Sequence, residues 1–200
     1  MIDAERGASD PNPYASPTSS TTDFVADTSG DSRTVALRAF VGAGADRYLR
    51  KWSAVLNGTA TNPGFNWAAF FLAGLWMSYR KMYRATLILY GIILVEMIVG
   101  TVIASVVVDG SELIETFDRI INFAVAVICG GFGNRWYLAH VTRAIAQARE
   151  EGLEGEQLLH TLSRRGGTSL LAALGLFGLF LLAVFVVSLG MALVEPDAFE

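Results

Sequence analysis

Glu96 is the residue of this chain best placed to do chemistry, because it lies near the middle of an almost unbroken apolar run from Ala85 to Val108. A charge at that depth of a membrane helix costs at least about 2.5 kcal/mol, so such a residue is by default a functional candidate. It either handles protons or ions, or is protonated and hydrogen-bonded to a neighbouring helix, near Cys129 or Asn122. We favour the structural role, because the sequence offers neither a basic partner at this level nor a second intramembrane carboxylate.

A second group of polar side chains recurs at every third position near the end of another apolar run. These side chains are Asn134, Tyr137 and His140, and their spacing places them along one flank of a helix. They either bind a lipid headgroup or a ligand phosphate together with Arg80 or Arg135, or they anchor the helix at the membrane boundary. Anchoring is the commoner role of such residues, and we favour it.

Cationic side chains are concentrated in two short segments. Arg47, Arg50 and Lys51 lie within 46–56, where helical spacing separates them from an apolar face. The apolar face comprises Tyr48, Leu49, Trp52, Val55 and Leu56. This amphipathic helix lies either in the headgroup layer or on the cytoplasmic face of the protein itself. The second segment holds Arg80, Lys81 and Arg84 at the end of a short apolar stretch, where cations mark the headgroup level.

Recognisable catalytic, cofactor and metal motifs are absent from the sequence. It contains no Gly-x-Ser-x-Gly elbow, no phosphate-binding loop with its lysine and no His-Glu-x-x-His zinc motif. His140 and His160 each lack a second ligand at metal-binding spacing, and Cys129 is the only cysteine. We therefore expect no enzyme, no cofactor and no metal. The small net charge of −4 gives no reason to expect a nucleic-acid partner.

The elements that position these residues are membrane helices. Of the 200 residues, 52% are hydrophobic and 17% are charged, which leaves too little polar surface for a water-soluble protein. Three segments, 85–108, 120–137 and 168–194, are long enough to cross a bilayer. The predicted fold is therefore an all-α integral membrane protein with three transmembrane helices and cytoplasmic amphipathic helices.

One further apolar helix, 65–83, is too short to cross. Its apolar part covers about 15 residues, or about 22 Å of helix, against a hydrocarbon core of about 30 Å. We therefore predict a re-entrant or half-inserted helix, preceded by Pro63 and Gly64 and capped by Asn66. A full crossing would require export of the first 64 residues with their cations and without a signal peptide, which is the weaker alternative.

Charge in the connections predicts the orientation. The connection 109–119 carries four acidic residues and one arginine, whereas 135–165 carries five arginines. The basic connection is expected to face the cytoplasm of a cell inner membrane, with the N terminus on the same side. The expected organisation is a disordered cytoplasmic tail (1–33), a juxtamembrane segment (34–64), a helical membrane domain (65–194) and an extracytoplasmic tail (195–200). Residues 138–167 form the cytoplasmic helical connection of that domain.

Small residues predict how two of the membrane helices meet. Gly100 with Ala104, and Ala126 with Gly130, are pairs spaced four residues apart on the helices that flank the short acidic loop. Such pairs let two helix backbones approach closely. We expect these helices to form an antiparallel pair through those positions. An alternative, compatible with the first, is that Gly130, Gly131 and Gly133 permit a bend near the inner leaflet.

Several motifs of the chain resemble a known family. They are Phe40-Val41-Gly42, Tyr48, Trp52, Phe65-Asn66-Trp67-Ala68-Ala69-Phe70-Phe71, Trp76, Tyr79-Arg80-Lys81-Met82-Tyr83, Gly133-Asn134, Tyr137 and His140. In order and spacing they resemble the bacterial membrane proteins grouped as DUF2628, over about residues 40 to 145. The resemblance implies a small multi-helix inner-membrane protein and implies no activity. Members commonly carry Gly-Pro where this chain has Ala73-Gly74-Leu75, so a proline kink is not expected there.

Two functions from different classes follow from these observations. The first is a non-enzymatic component that docks a protein partner or anionic lipid headgroups on its cytoplasmic face and so organises the membrane. Its candidate contacts are the two cationic segments and the polar flank: Arg47, Arg50, Lys51, Arg80, Lys81, Arg84, Asn134, Tyr137 and His140. The second is a small transporter or channel subunit that self-associates and places Glu96 in the path.

Overall fold

The computed structural model describes residues 21–106 and 111–194, and the described residues contain helices and no strand. The helices are α1 (Thr21–Val41), α2 (Ala45–Leu56), α3 (Trp67–Tyr79), α4 (Tyr83–Val106), α5 (Ser111–Glu150), α6 (Gly155–Arg165) and α7 (Leu170–Val194). The predicted all-α fold class is therefore confirmed. Residues 1–20 of the predicted disordered tail, and the tail 195–200, lie outside the described residues, whereas 21–33 form the start of α1.

The chain divides into two compact units, residues 1–33 and residues 34–200. The described part of the first unit, 21–33, is helical. The second unit holds the last turns of α1 and all of α2 to α7, and it contains every candidate site residue.

Three of the described helices are long and apolar enough to cross a membrane. They are α4, α5 and α7, as the sequence predicts. Many of their large apolar side chains are exposed, including Ile88, Phe123 and Leu171, so they need lipid around them rather than water. The chain is thus built as a multi-pass membrane protein.

The helix α5 is longer than the predicted span 120–137. It continues to Glu150 and has 40 residues, or about 60 Å of helix. The extension persists because Leu138, Val141 and Ile145 are buried along one face, in the same core as Leu158 and Leu162 of α6. It ends shortly before Gly152, which adopts a left-handed conformation (φ 78°) that favours glycine.

An ion pair joins the ends of α5 and α6. Both guanidinium Nη atoms of Arg165 donate to the carboxylate of Glu151, at 2.9 and 2.7 Å. These hydrogen bonds hold the pKa of the Glu151 carboxyl below its usual range. The pair closes the turn between the two helices.

The amphipathic helix α2 packs on the protein itself. Tyr48 and Trp52 on its apolar face are 5% and 0% exposed, whereas Arg47, Arg50 and Lys51 are exposed. The sequence leaves open whether this helix lies in the headgroup layer or on the protein, and in the structure it lies on the protein.

The short helix α3 contacts α4, α5 and α7, and it is kinked at Ala73. Ala73 has non-helical dihedral angles (φ 24°, ψ −101°), so a kink is present although proline is not. A Cβ at the next residue, Gly74, would collide with the ring of Tyr90, and Ser78 Oγ donates to the Gly74 carbonyl at 2.7 Å. This kink therefore occurs without proline. It is accompanied by the close packing of Gly74 and by the Ser78 hydrogen bond to the backbone, and both are compatible with a helix bend.

The small residues of α5 serve a different contact from the predicted one. A Cβ at Gly130 would collide with Phe65 and Phe70, so this glycine allows α5 to approach the segment around the start of α3. The Gly130 carbonyl also accepts a hydrogen bond from the backbone N–H of Asn66 at 2.7 Å. The assignment of Gly130 to the α4–α5 contact was wrong, because the side chains that pack against it belong to Phe65 and Phe70.

Candidate anion-binding site

Arg80 is a buried cation. It follows the last residue of α3, and its backbone N–H still donates to the Trp76 carbonyl at 3.0 Å. Only 5% of its surface is exposed, although arginine is rarely buried unless it is paired. The turn is completed by Lys81, which adopts a left-handed conformation (φ 58°). This turn directs Arg80 into the protein instead of towards the surface.

Aromatic rings surround the Arg80 guanidinium. Its Cζ lies 4.6 Å from the ring centroid of Tyr48, 5.3 Å from that of Tyr137 and 5.7 Å from that of Tyr79. All three distances fall within the range of cation–π attraction. The rings of Tyr48 and Tyr137 also pack edge to face, with centroids 5.0 Å apart. We call Arg80 and these three tyrosines the Arg80 box.

The rings do not satisfy the hydrogen-bonding groups inside the Arg80 box. Nε and Nη1 of Arg80 and the Tyr137 hydroxyl are buried and have no well-oriented hydrogen-bond partner among the described residues, and the Tyr137 hydroxyl interacts with the Arg80 side chain itself. None of the three ion pairs found between described residues involves Arg80. Buried polar groups nearly always have partners, and a buried charge is costly without a counter-charge. The box therefore has the donors and the charge that an anion requires.

The Arg80 box opens into a cavity of about 600 Å³, which we call the α2–α3 cavity. Its polar lining consists of Arg47, Lys51, Arg80, Asn66 and Asn134, together with the phenol rings of Tyr48 and Tyr79. The apolar lining consists of Trp67, Ala68, Leu72, Leu75, Trp76, Leu170 and Ala173. No acidic side chain is among these lining residues. The cavity thus combines three cations with a largely apolar wall.

Two asparagines hold the walls of this cavity together. Asn66 caps α3, because its Oδ1 accepts from the backbone N–H of Ala69 at 3.1 Å. Its Nδ2 donates to Oδ1 of Asn134 at 3.0 Å, and Nδ2 of Asn134 donates to the Gly64 carbonyl at 3.0 Å. Trp52 adds a bond from its indole Nε1 to the Asn134 carbonyl at 3.2 Å. Asn134 is therefore mainly a positioning residue that ties α2 and α3 to α5.

The start of α7 completes the cavity. The backbone N–H of Ser169 donates to the Tyr79 carbonyl at 3.0 Å, which attaches α7 to the end of α3. Ser169 Oγ accepts from the backbone N–H of Ala172 at 3.2 Å and so caps α7. Leu170 and Ala173 are thereby held in the cavity wall.

The structure separates the candidate contacts that the sequence predicts. Arg47, Lys51, Arg80 and Asn134 line the α2–α3 cavity. Lys81, Arg84 and His140 line a second cavity, of about 700 Å³, beside α4 and α5. Arg50 is exposed and lines neither of these two cavities, and Tyr137 is fully buried beneath Arg80. The flank Asn134, Tyr137 and His140 is thus not one patch, because Tyr137 lies in the core between the two cavities.

Sequence reasoning missed several residues of these sites. Tyr48 was expected on an apolar helix face and Trp76 as a family motif residue, yet Tyr48 packs on Arg80 and both line the α2–α3 cavity. Leu170, Trp136 and Arg143 were not expected in either cavity. The only signal was the helical spacing of Tyr48 and Trp52, which indicates a buried face and not what that face covers.

Glu96 has a neighbour that the sequence did not reveal. The carboxyl of Asp118 on α5 interacts with it through its charge and through a side-chain hydrogen bond, and Oδ1 of Asp118 lies 3.5 Å from where a Cβ on Gly100 would be. Oε1 of Glu96 is buried and makes no hydrogen bond with the described residues. Asn122 donates instead to the Asp118 carbonyl at 2.8 Å. No second intramembrane carboxylate was expected from the sequence, because Asp118 was assigned to the acidic connection; α5 instead begins at Ser111, so Asp118 is helical and lies beside Glu96.

The comparisons with known proteins identify a family. The model of a family described as "Protein of unknown function (DUF2628)" matches residues 26–143, which is more than half of the chain. The matched range contains both cationic segments, Glu96 and the polar flank that ends at His140. No curated protein and no solved structure matches the chain significantly. The resemblance seen in the sequence motifs is confirmed.

Proposed function

This chain belongs to the DUF2628 family of proteins of unknown function, and from its site we propose that it is a non-enzymatic membrane component that binds anionic phospholipid headgroups. The α2–α3 cavity is the binding site, and the phosphate is the group it recognises. Binding there would gather anionic lipid around the protein and so organise the membrane locally.

A single observation carries this proposal: the guanidinium of Arg80 is buried, is stacked on Tyr48, lines the α2–α3 cavity and has no ion-pair partner among the described residues. Guanidinium groups bind phosphate through parallel, charge-assisted hydrogen bonds. Arg47 and Lys51 on the same cavity add positive charge. An anion would supply the counter-charge that the lining residues do not.

The apolar wall of the cavity favours a lipid over a free anion or a soluble protein. Leu72, Leu75 and Leu170 would be left in contact with water by a small anion, whereas the glycerol and upper acyl carbons of a phospholipid would cover them. Trp67 and Phe71, which are 66% and 71% exposed, lie on the same short helix. Large exposed aromatic side chains are typical of the membrane interface. Together these features support α3 as a half-inserted helix.

The distribution of arginine supports the orientation that the proposal needs. Arginines are concentrated in the half of α5 that holds Tyr137 of the Arg80 box, at Arg135, Arg143 and Arg149, and at the end of α6, at Arg164 and Arg165. Under the positive-inside rule this half of α5 is expected to face the cytoplasm, which supports a cavity at the cytoplasmic leaflet of the inner membrane and an N terminus on the same side. Anionic lipids in that leaflet attract basic segments such as α2.

The direct test measures lipid binding by the purified full chain in neutral detergent. Native mass spectrometry with dioctanoyl phosphatidylglycerol and dioctanoyl phosphatidylcholine compares an anionic with a zwitterionic headgroup. The wild-type protein should prefer phosphatidylglycerol, and Arg80→Lys should weaken that binding at least about tenfold, because lysine keeps the charge but loses the planar donor pair.

Variants of exposed residues keep the proposal testable if the Arg80 variant does not fold. Arg47→Gln with Lys51→Gln should also weaken phosphatidylglycerol binding, whereas Arg50→Gln, on the same helix but outside the cavity, should not. Equal binding of the two lipids by the wild-type protein would refute the proposal. So would equal weakening by the cavity pair and by the Arg50 control.

A second candidate function is passage of protons or ions through a homo-oligomer. The observation that favours it is the contact between Glu96 and Asp118, since paired carboxyl groups inside a membrane are typical of proton pathways. Flux into proteoliposomes that Glu96→Gln abolishes would support this function. Flux that is absent, or unchanged by Glu96→Gln, would exclude it.

A further inference from the structure

The second cavity is a groove on the outer surface of α4 and α5, and it shares no lining residue with the α2–α3 cavity. We infer that this α4–α5 groove holds one anionic phospholipid of the surrounding bilayer, with its phosphate at the basic end and an acyl chain along the apolar part. The inference concerns a separate site and does not depend on the proposed function.

One end of the groove is basic. Lys81, Arg84 and Arg143 line it together with His140, and no acidic residue is among the lining side chains. None of these residues takes part in the three ion pairs between described residues. Arg84 and Arg143 are exposed; Nε of Arg143 donates to the Ala139 carbonyl at 3.2 Å, which leaves its Nη groups, and Lys81 donates to the Arg164 carbonyl at 3.2 Å. The two arginines therefore keep donors and charge for a phosphate group.

The remainder of the groove is apolar. Ile88 and Ile92 of α4 are four residues apart, so they lie on one face of the helix and continue the line that begins at Arg84. Arg84 to Ile92 covers about 12 Å of helix, which is long enough to lie along the first part of an acyl chain. Val125 and Ile128 of α5 form the opposite wall.

The location of the apolar part of the groove indicates that the bound molecule comes from the bilayer and not from solution. Ile88 and Ile92 are 63% and 55% exposed, and they belong to a helix that is long and apolar enough to cross a membrane. A soluble anion or peptide at the basic end would not enter hydrocarbon, so it would leave this part of the groove uncovered. A phospholipid matches both parts of the groove. Its negatively charged phosphate would lie at the basic end, and its acyl chain would lie along the isoleucines.

Trp136 provides a local probe, because it lines the groove and is partly exposed. The full chain is reconstituted in vesicles that contain 80% phosphatidylcholine and 20% phosphatidylglycerol, with bromine on the acyl chains of one lipid at a time. In parallel vesicles, brominated phosphatidylcholine is kept at 20% so that the quencher concentrations match. The signal of Trp136 is the difference in tryptophan quenching between the wild-type protein and Trp136→Phe.

We expect brominated phosphatidylglycerol to quench Trp136 more than brominated phosphatidylcholine does, with an apparent selectivity of at least about fivefold. Arg84→Gln with Arg143→Gln should remove this selectivity. Arg149→Gln, an exposed position on α5 outside the groove, is the matched control and should keep it.

Three results would overturn the inference. They are equal quenching by the two lipids in the wild-type protein, retained selectivity in the double arginine variant, and loss of selectivity when inorganic phosphate is added at millimolar concentration. The pair Arg47→Gln with Lys51→Gln separates this site from the α2–α3 cavity, because it should leave the Trp136 signal unchanged. Failure of one lipid site is thereby distinguishable from failure of the other.

Discussion

The guanidinium of Arg80 lies 4.6 Å from the centre of the Tyr48 ring, although Tyr48 belongs to α2 and Arg80 follows α3. The ring of Tyr48, on the amphipathic helix α2, therefore packs against the buried guanidinium of Arg80. This contact also means that α2 contributes to the α2–α3 cavity twice, through the cations on its exposed face and through a tyrosine on its buried face. Packing of α2 onto the protein therefore forms part of the wall of the α2–α3 cavity.

The ring of Tyr48, and not its hydroxyl, should be what stabilises Arg80. Tyr48→Phe keeps the cation–π contact, whereas Tyr48→Leu removes it and leaves Arg80 against an aliphatic side chain. Thermal unfolding in detergent should show Tyr48→Leu destabilised by about 1–2 kcal/mol relative to Tyr48→Phe. Equal stability of the two variants would show that the stacking contributes nothing.

The close approach of α5 to the start of α3 should depend on Gly130. A Cβ there would collide with Phe65 and Phe70, so Gly130→Ala should cost about 1–3 kcal/mol in the free energy of unfolding. The neighbouring Gly131 has open space where its Cβ would be, and Gly131→Ala should be neutral or stabilising, by up to about 1 kcal/mol. Chemical denaturation of the two variants in parallel measures the difference, and similar costs at both positions would contradict the packing.

The predictable part of the fold rests on local signals. The three membrane helices follow from runs of apolar residues, and the buried face of α2 follows from helical periodicity. The kink at Ala73 follows from neither, because it accompanies the packing of Gly74 against Tyr90, which belongs to another helix. Local patterns indicate which face of a helix is buried but not the helix that covers it.

The same reason explains what was predictable of the candidate site. Arg47, Lys51 and Arg80 were recognisable as cations near a membrane boundary, because charge beside an apolar run is visible in the sequence. The burial of Arg80 was not predictable, because it depends on the turn at Lys81, whose left-handed conformation has no distinct sequence signal. The exposure of Arg50 follows instead from the helical spacing of α2. The candidate contacts are divided between two cavities because Tyr137 is buried in the core, and its burial was not predictable from the sequence either.

The ion pair between Glu151 and Arg165 should make the turn between α5 and α6 sensitive to pH. Hydrogen bonds from Arg165 lower the pKa of Glu151 in the folded protein. Its stabilising contribution is therefore complete above the pKa of glutamate in the unfolded chain, and it is lost as the pH falls through the lower folded pKa. The melting temperature of the wild-type protein should exceed that of Glu151→Gln at pH 7, and the two should converge in the acidic range below that pKa.

The neighbouring Glu150 is the matched control for this measurement. It is exposed and takes part in none of the ion pairs between described residues, so Glu150→Gln should differ little from the wild-type protein at pH 7. A difference between the wild-type protein and Glu151→Gln that grows on acidification would contradict the assigned ion pair. Because both partners are on the surface, the whole effect should shrink in high salt.

The contact between Glu96 and Asp118 should cost stability, because two acidic groups are held together where water is scarce. Glu96→Gln replaces one of them with a neutral amide of the same shape, which should raise the melting temperature. Asp118→Asn should do the same, and the double variant should gain less than the sum of the two. A double-mutant cycle should therefore give a coupling of about 0.5–3 kcal/mol, whereas Glu112→Gln, on an exposed position of α5, should show none with Glu96. A destabilised Glu96→Gln would instead show that the carboxyl group makes an interaction that the amide cannot replace.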